Sequence, residues 1–305
     1  MNSVLQLAPI VLFVYNRPEH TRVTIDALKK NELAQESDLF IFSDAPKNEN
    51  AKKNVLEVRD HIKNISGFKS VAIIERQENF GLAKSIIHGV TELVNKFGKI
   101  IVLEDDLVTS PHFLKYMNEA LNFYEQEEDV ISIHGYVYPV QEKLPETFFI
   151  KGADCWGWAT WKRGWGLFEA DGKKLLDELK NKKLTKEFDL DNSYPYTQML
   201  KSQIKGLNNS WAIRWYASAF LADKLTLYPG TSLVCNTGFD NSGTHTGSID
   251  LFQVKIAQKS VEVKTIPIEV NQIAYDLIKK FFKSPKLFLF VKYLQIKNLI
   301  KLLAK

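Results

Sequence analysis

An α/β architecture, a mostly parallel sheet flanked by helices with a C-terminal helical extension, is what this 305-residue sequence predicts. Three observations carry the prediction. Through the first half of the chain, short apolar runs alternate with amphipathic stretches, the order that builds a parallel sheet through right-handed crossovers. The apolar runs are nearly continuous and rich in β-branched and aromatic residues, as expected of strands covered on both faces. Polar turn segments such as "DAPKNEN" and "SGF" separate the units.

Taken in order, "PIVLFVY" (9–15) is the first strand and 18–30 the first helix. "DLFIFS" (38–43) and a helix over 49–65 follow, then "SVAIIE" (70–75) and a helix over 81–97. "KIIVLE" (99–104) is the fourth strand, and a helix restarts near Pro111. The second half differs. "DCWGWATWKRGWGLFE" (154–169) is crowded with aromatic residues, the chain is then helical and lysine-rich to about residue 206, and "WAIRWYASAFLAD" (211–223) is a further helix. "LTLYPGTSLVCN" leads into the loop "TGFDNSGTHTG" (237–247), and a basic helical stretch closes the chain. Residues 1–250 are expected to form the main domain, with 8–110 and 111–250 as its halves, and 251–305 the extension.

A composition of 45% hydrophobic and 25% charged residues is that of an ordinary globular protein. From Gln272 to Lys305 eight lysines stand against one acid, so the other 271 residues share about −3 of the overall +4. That imbalance argues against a uniform nucleic-acid-binding face. Cys155 and Cys235 lack zinc-ligand spacing and are expected as reduced thiols of a cytoplasmic protein. The apolar run at the start is broken early by "NRPEH" and reads as a strand, not a signal peptide. No stretch is long and apolar enough for a spanning helix.

The informative segment is "KIIVLEDDLVTSPHFL" (99–114), where an apolar strand ends in Glu104, Asp105 and Asp106. Ligands of parallel sheets bind at the carboxyl ends of strands. Carboxylates there form a hard oxygen site that can share Mg²⁺ or Mn²⁺ with substrate phosphates. The plainer reading is an acidic turn at a helix N-terminus. Other strand ends carry matching chemistry: Arg17 after the first, Asp44 after the second, and Lys84 on the first turn of the helix after the third. Arg and Lys near a helix start can hold phosphate oxygens, and a carboxylate can accept from a ribose or a base N–H. Individually, Arg17 and Asp44 also read as turn or capping residues, and Lys84 as a solvated lysine.

"IVLEDDLVTSPHFL" resembles the acidic metal motif of GT-A glycosyltransferases, above all the N-acetylglucosaminyltransferase I group. The resemblance extends to "YNRPEHTRVTIDAL", to Asp44 and to "TGFDNSGTHTG"; "WGWATW" and "SWAIRW" are similar to segments of bacterial surface-polysaccharide sugar transferases. It covers roughly residues 8–247. It implies a GT-A, Rossmann-like fold and a metal-dependent transferase, inverting rather than retaining. The implied donor is a nucleoside-diphosphate sugar, UDP favoured, and the implied acceptor a glycan or lipid-linked glycan. Carried over by residue, Asp106 is the metal ligand, Glu104 and Asp105 are nucleotide and ribose contacts, and Arg17 and Asp44 contact the nucleotide. Ser242, Thr244 and His245 fall in a loop that closes over the donor. His245 is either a second metal ligand or a loop-packing histidine.

Trp156 and Gly157 are expected in the donor or acceptor wall, because aromatic rings stack on the apolar faces of sugars. Trp161 and Trp165 are expected in the core. An inverting transferase needs a general base, and here the resemblance departs: "LNNSWAIRW" has Asn209 and Ser210 where the relatives carry acids. Asp154 and Asp240 are the nearest acids in motif-bearing segments. The missing base keeps open a non-catalytic nucleotide-sugar-binding or scaffold protein. Residues 277–305 have two readings: a docked helix with solvated lysines, or an interfacial helix making peripheral contact with the inner face of the plasma membrane.

Overall fold

The computed structural model describes residues 6–239, 250–287, 289, 290 and 292. Its first half follows the expected order: β1 (Ile10–Val14), α1 (Pro18–Lys29), β2 (Asp38–Ser43), α2 (Glu49–Lys63), β3 (Ser70–Glu75), α3 (Gly81–Phe97) and β4 (Lys99–Glu104). Local chemistry sets the ends. Pro18 opens α1, where its missing N–H costs nothing. The Asn48 side chain accepts from the Ala51 N–H at the start of α2. Gly98, at φ +80°, terminates α3 in a conformation that side chains resist, and its N–H bonds the Val94 carbonyl.

The second half supplies β5 (Leu107–Thr109), α4 (Phe113–Phe123), β6 (Val130–His134), β7 (Thr147–Lys151), β8 (Trp158–Trp161) and the short α5 (Lys162–Trp165). Helices α6 (Gly172–Asn181), α7 (Thr185–Phe188), α8 (Tyr196–Ile204) and α9 (Ala212–Leu221) follow. Strands β9 (Leu225–Pro229) and β10 (Val234–Asn236) and helix α10 (Gln272–Phe282) complete the described elements.

Eight strands form one sheet in the order β3-β2-β1-β4-β8-β6-β9-β7. The β3-β2-β1-β4 half is parallel throughout. Strand β8 then runs antiparallel between β4 and β6. Its register sets Trp158 against Val102, so the residues entering β8, Trp156 and Gly157, stand at the carboxyl end of β4. A separate antiparallel pair joins β5 to β10.

Alternation along β1 sends Ile10, Leu12 and Val14 to one face and Val11 and Phe13 to the other. The first face is covered by Ile25 and Leu28 of α1, Val58 and Ile62 of α2, and Met117 and Leu121 of α4. The second lies under Ile86, Val90 and Leu93 of α3, with Trp215 of α9. Fully buried side chains of this size each stabilise by about 1.5–3 kcal/mol relative to exposure. Trp161 and Trp165 are buried, as expected, and Trp165 joins Trp158, Trp211 and Trp215 in one aromatic cluster. The boundary expected at residue 250 is not a break in packing. Ala257 and Val261 enter the first core, and Phe252, Ala274, Ile278 and Phe282 pack with Phe148, Ile150 and Tyr228.

Candidate active site

The carboxyl ends of β1 and β4 meet through Arg17. Its Nη2 donates to Asp105 Oδ1 and, at 2.9 Å, to Asp106 Oδ2. Asp105 is held further by the Tyr15 N–H at 3.3 Å, and its carbonyl accepts from the Thr24 hydroxyl at 2.9 Å. Two of the three carboxylates thus share one guanidinium, Glu104 is left without a bond to it, and the compensation is incomplete. Burial, reinforced by the charges of Asp106 and Asp105, pushes the Glu104 carboxyl far above its usual range. Burial also raises Asp105, against the opposing pull of Arg17. For Arg17 burial works against the charge, yet Asp105 and Asp106 hold it more firmly protonated than usual. Its Nη1 is buried without a hydrogen-bond partner among the described residues.

This donor set fits a hard divalent cation. The carboxylate oxygens carry charge in excess of the one guanidinium. Among the described residues no group of three or more His, Cys, Asp or Glu side chains is placed to hold a metal alone. Mg²⁺-type sites use one or two carboxylates and take their remaining ligands from water and substrate phosphates.

The β5–β10 pair carries a second segment to the same place. Thr237 donates to the Asp106 carbonyl from both its N–H (2.8 Å) and its hydroxyl (3.1 Å). At Gly238 a Cβ would stand 2.3 Å from Asp106 Oδ2, so only glycine allows this approach. The expected donor-closing loop therefore begins against the acidic triplet. Asp240, Ser242, Thr244 and His245 lie outside the described residues.

Asp44 is buried at the end of β2, with both oxygens engaged. They accept from the N–H groups of Ala45 (3.0 Å), Phe80 (2.9 Å) and Gly81 (2.8 Å), and from the Asn79 side chain (3.0 Å). The carboxylate caps α3 from a different strand, where its charge suits the helix dipole. Lys84 is not brought to the acidic triplet. It is exposed, with its ammonium 3.9 Å from the Phe80 ring centre and 4.0 Å from Glu78. It lines an open groove of about 690 Å³ with His88, Thr91, Asn209 and Arg214.

Trp156 is half-buried, with its ring against Tyr136, Phe239 and Phe252 and its backbone N–H donated to His134 Nε2 at 3.0 Å. Gly157 lies behind it, buried, with φ +64° and Val234 where a Cβ would go. Asp154 is half-buried and accepts from the Tyr138 hydroxyl at 2.6 Å, the Cys155 N–H at 3.2 Å and the Tyr228 hydroxyl at 3.5 Å. Burial raises the Cys155 thiol, and the charges of Asp154, Glu104 and Asp106 all add to the rise. Ser210 accepts from the Ile213 N–H and so caps α9.

Sequence reasoning missed Tyr138 and Tyr228 around Asp154, Asn79 on Asp44, and Arg59. The Arg59 Nη2 reaches the carbonyls of Ser43, Asp44 and Arg76 and braces the ends of β2 and β3. None has a local signature, since each partner lies more than a dozen residues away.

The sequence pattern of glycosyl transferase family 2 matches residues 10–163, half of the chain. No curated protein matches significantly. Among solved structures, Staphylococcus aureus TarS 1–349 is similar at 11% identity and TM-score 0.39, covering 75% of this chain and 60% of that one. The mannosyltransferase PcManGT from Pyrobaculum calidifontis, in complex with GDP-Man and Mn²⁺, is similar at 11% identity and TM-score 0.30, covering 45% and 39%. Mouse xyloside xylosyltransferase 1, apo form, is similar at 13% identity and TM-score 0.29, covering 44% and 55%. The chain thus spans less than two thirds of the length of each of these proteins.

Proposed function

The chain belongs to glycosyl transferase family 2, and from that premise we propose that it moves a sugar from a nucleoside-diphosphate donor, UDP-linked by preference, to a glycan or lipid-linked glycan acceptor. The observation that carries this reading is the meeting of Arg17, Asp105 and Asp106 at the carboxyl ends of β1 and β4. Glu104 and Asp44 stand at neighbouring strand ends. Asp106 would hold Mn²⁺ or Mg²⁺ together with the diphosphate. A bound divalent ion supplies Lewis-acid stabilisation of the charge developing on the departing diphosphate. Arg17 binds phosphate oxygens, and Asp105, pinned by Tyr15 and Thr24, sets the position of the ribose. Asp44 fixes the start of α3 beside the nucleobase.

Transfer proceeds with inversion. Asp154 takes the proton of the acceptor hydroxyl as that oxygen attacks the anomeric carbon. The bond from the anomeric carbon to the phosphate oxygen breaks, and the nucleoside diphosphate leaves with the electron pair. Surface-polysaccharide biosynthesis in a bacterium is the setting that suits such an enzyme. The test is a thermal-shift panel of UDP-, GDP-, CMP- and dTDP-sugars with and without Mn²⁺, because ligands of the native state raise the melting temperature. A UDP-sugar that stabilises the protein more in Mn²⁺ supports the reading, and no response to any sugar nucleotide overturns it. Release of UDP from the stabilising donor separates an enzyme from a binding protein.

A further inference from the structure

Asp154 sits among five tyrosines drawn from four parts of the chain: Tyr138 after β6, Tyr194 and Tyr196 at the start of α8, Tyr216 on α9, and Tyr228 on β9. Burial raises all five phenols, and the Asp154 charge adds to the rise in each. Two of these hydroxyls, on Tyr138 and Tyr228, bond the carboxylate directly, while that of Tyr216 donates to the Phe188 carbonyl. Among the described residues no lysine or arginine forms an ion pair with Asp154. A wall meant only to pack would bury phenylalanine at lower cost, because a buried hydroxyl needs a partner.

Tyr138, Tyr194, Tyr196 and Tyr216 are only half-buried. Their rings form a continuous surface: Tyr194 to Tyr196 and Tyr196 to Tyr216 at 4.6 Å, Tyr138 and Tyr194 each to Phe282 at 4.8 Å. This surface adjoins the donor side. Asp106 touches Gly238, and Phe239 packs on Trp156, which follows Asp154 and Cys155 in sequence. Aromatic faces, hydroxyl groups and a carboxylate with no cation partner among the described residues suit a neutral sugar and disfavour an anionic one.

We propose that this tyrosine wall is the acceptor site, taking a neutral pyranose by its C–H face, with Tyr138 as the positioning residue that holds Asp154 toward the attacking hydroxyl. The proposal rests on the glycosyl-transfer reading above and names its acceptor class. Tyr138 and Tyr228 donate to Oδ2 and the Cys155 N–H to Oδ1, which fixes the carboxylate plane while Oδ1 keeps a lone pair for the incoming O–H. Tyr194 and Tyr196 supply the stacking face.

Saturation-transfer-difference NMR on the full chain tests the wall. The probes are the methyl glycosides of glucose, galactose, rhamnose and N-acetylglucosamine, with UDP or GDP and Mg²⁺ present. At least one glycoside should receive saturation at its ring C–H protons. Tyr194→Phe should keep that signal and Tyr194→Ala should reduce it at least about fivefold, with the nucleotide signal unchanged in both. With the glycoside that binds, Asp154→Asn should keep both signals and lose roughly 100-fold or more in transfer, the scale of general-base catalysis. Tyr138→Phe should lower kcat about tenfold at unchanged KM, a split that mere loosening of the fold does not give. Nucleotide signal without any glycoside signal, glycoside signal surviving Tyr194→Ala, or full transfer by Asp154→Asn each overturns this proposal alone. No signal from either nucleotide overturns the parent reading and this one with it.

Discussion

Arg17 Nη2 lies 2.9 Å from Asp106 Oδ2, so the guanidinium occupies the cation's place beside the carboxylate proposed to bind the metal. The same nitrogen also holds Asp105. On the proposed reading, metal and arginine would compete for Asp106 until a diphosphate offered Arg17 another partner. Its second terminal nitrogen, Nη1, is buried and unpartnered among the described residues, which leaves it ready to donate to a phosphate oxygen.

The expected consequence is that Mn²⁺ alone binds the wild-type protein weakly and binds tightly once UDP is present. Arg17→Ala should reverse the order. Its unpaired carboxylates destabilise the fold, and Mn²⁺ alone should then raise its melting temperature by more than it raises that of the wild type. Asp106→Asn should lose the Mn²⁺ effect in both the presence and the absence of UDP, with affinity down about 100-fold or more, since even residues behind a ligand cost about 10–100-fold. Equal shifts from Mn²⁺ alone in wild type and Arg17→Ala would sink the competition.

Asp44→Ala should destabilise the free protein by about 1–3 kcal/mol, the cost of leaving buried donors unpaired. Phe80 N–H and Gly81 N–H each lose their acceptor at the start of α3. Urea denaturation without ligand reads this directly. A midpoint equal to wild type would leave Asp44 no role in holding α3.

The parallel half was legible because its signals are local. The strands over 38–43, 70–75 and 99–104 and the helix over 81–97 have the bounds expected from apolar runs and periodicity alone. The acidic triplet was legible for the same reason, being contiguous in sequence. What stayed hidden depends on contacts across long separations. Asp44 reads as a turn residue until Phe80 and Gly81 are seen on it, 36 and 37 positions away. Asp154 stood out only by its nearness to Trp156, whereas its partners Tyr138 and Tyr228 lie 16 positions before and 74 after it. Lys84 sat at the expected helix start, but its rotation about α3 turns it to the Phe80 ring, and strand-end logic carries no information about helix phase.

His134 makes a pH prediction. It is fully buried, its Nε2 accepts from the Trp156 N–H, and its Nδ1 has no partner among the described residues. Burial lowers its pKa, opposed in part by Asp154. The unfolded chain takes up a proton below about pH 6.5 that the folded chain resists. Stability from this group is therefore present above that pH and lost as the pH falls through it, by up to about 1.4 kcal/mol per unit. Urea midpoints at pH 7.5, 6.0 and 5.0 should fall more steeply in wild type than in His134→Gln. Parallel curves would mean that the folded protein protonates this ring freely.

The basic C-terminal stretch gives the last prediction, and the fold changes how it must be tested. Ala274, Ile278, Phe282, Leu287 and Phe290 are buried in a core shared with Phe148, Ile150 and Tyr228. Removing everything after residue 271 would strip that core and report on folding rather than on lipid. The apolar face up to Phe290 is thus already occupied, while Lys283, Lys286 and Leu289 are exposed. Among the described residues no helix is long and apolar enough to cross a membrane. The proposed peripheral contact would draw on Lys297, Lys301 and Lys305 and the apolar residues between them, each lysine contributing about 1 kcal/mol near an anionic surface. The full chain should sediment with phosphatidylserine-containing vesicles at low salt. A chain ending at residue 292 should keep its melting temperature and stay in the supernatant. Both should remain soluble at high salt, where the attraction is screened. Equal recovery of the two chains in the pellet, or binding indifferent to salt and to lipid charge, would assign the tail's lysines to solvent and its helix to the protein body.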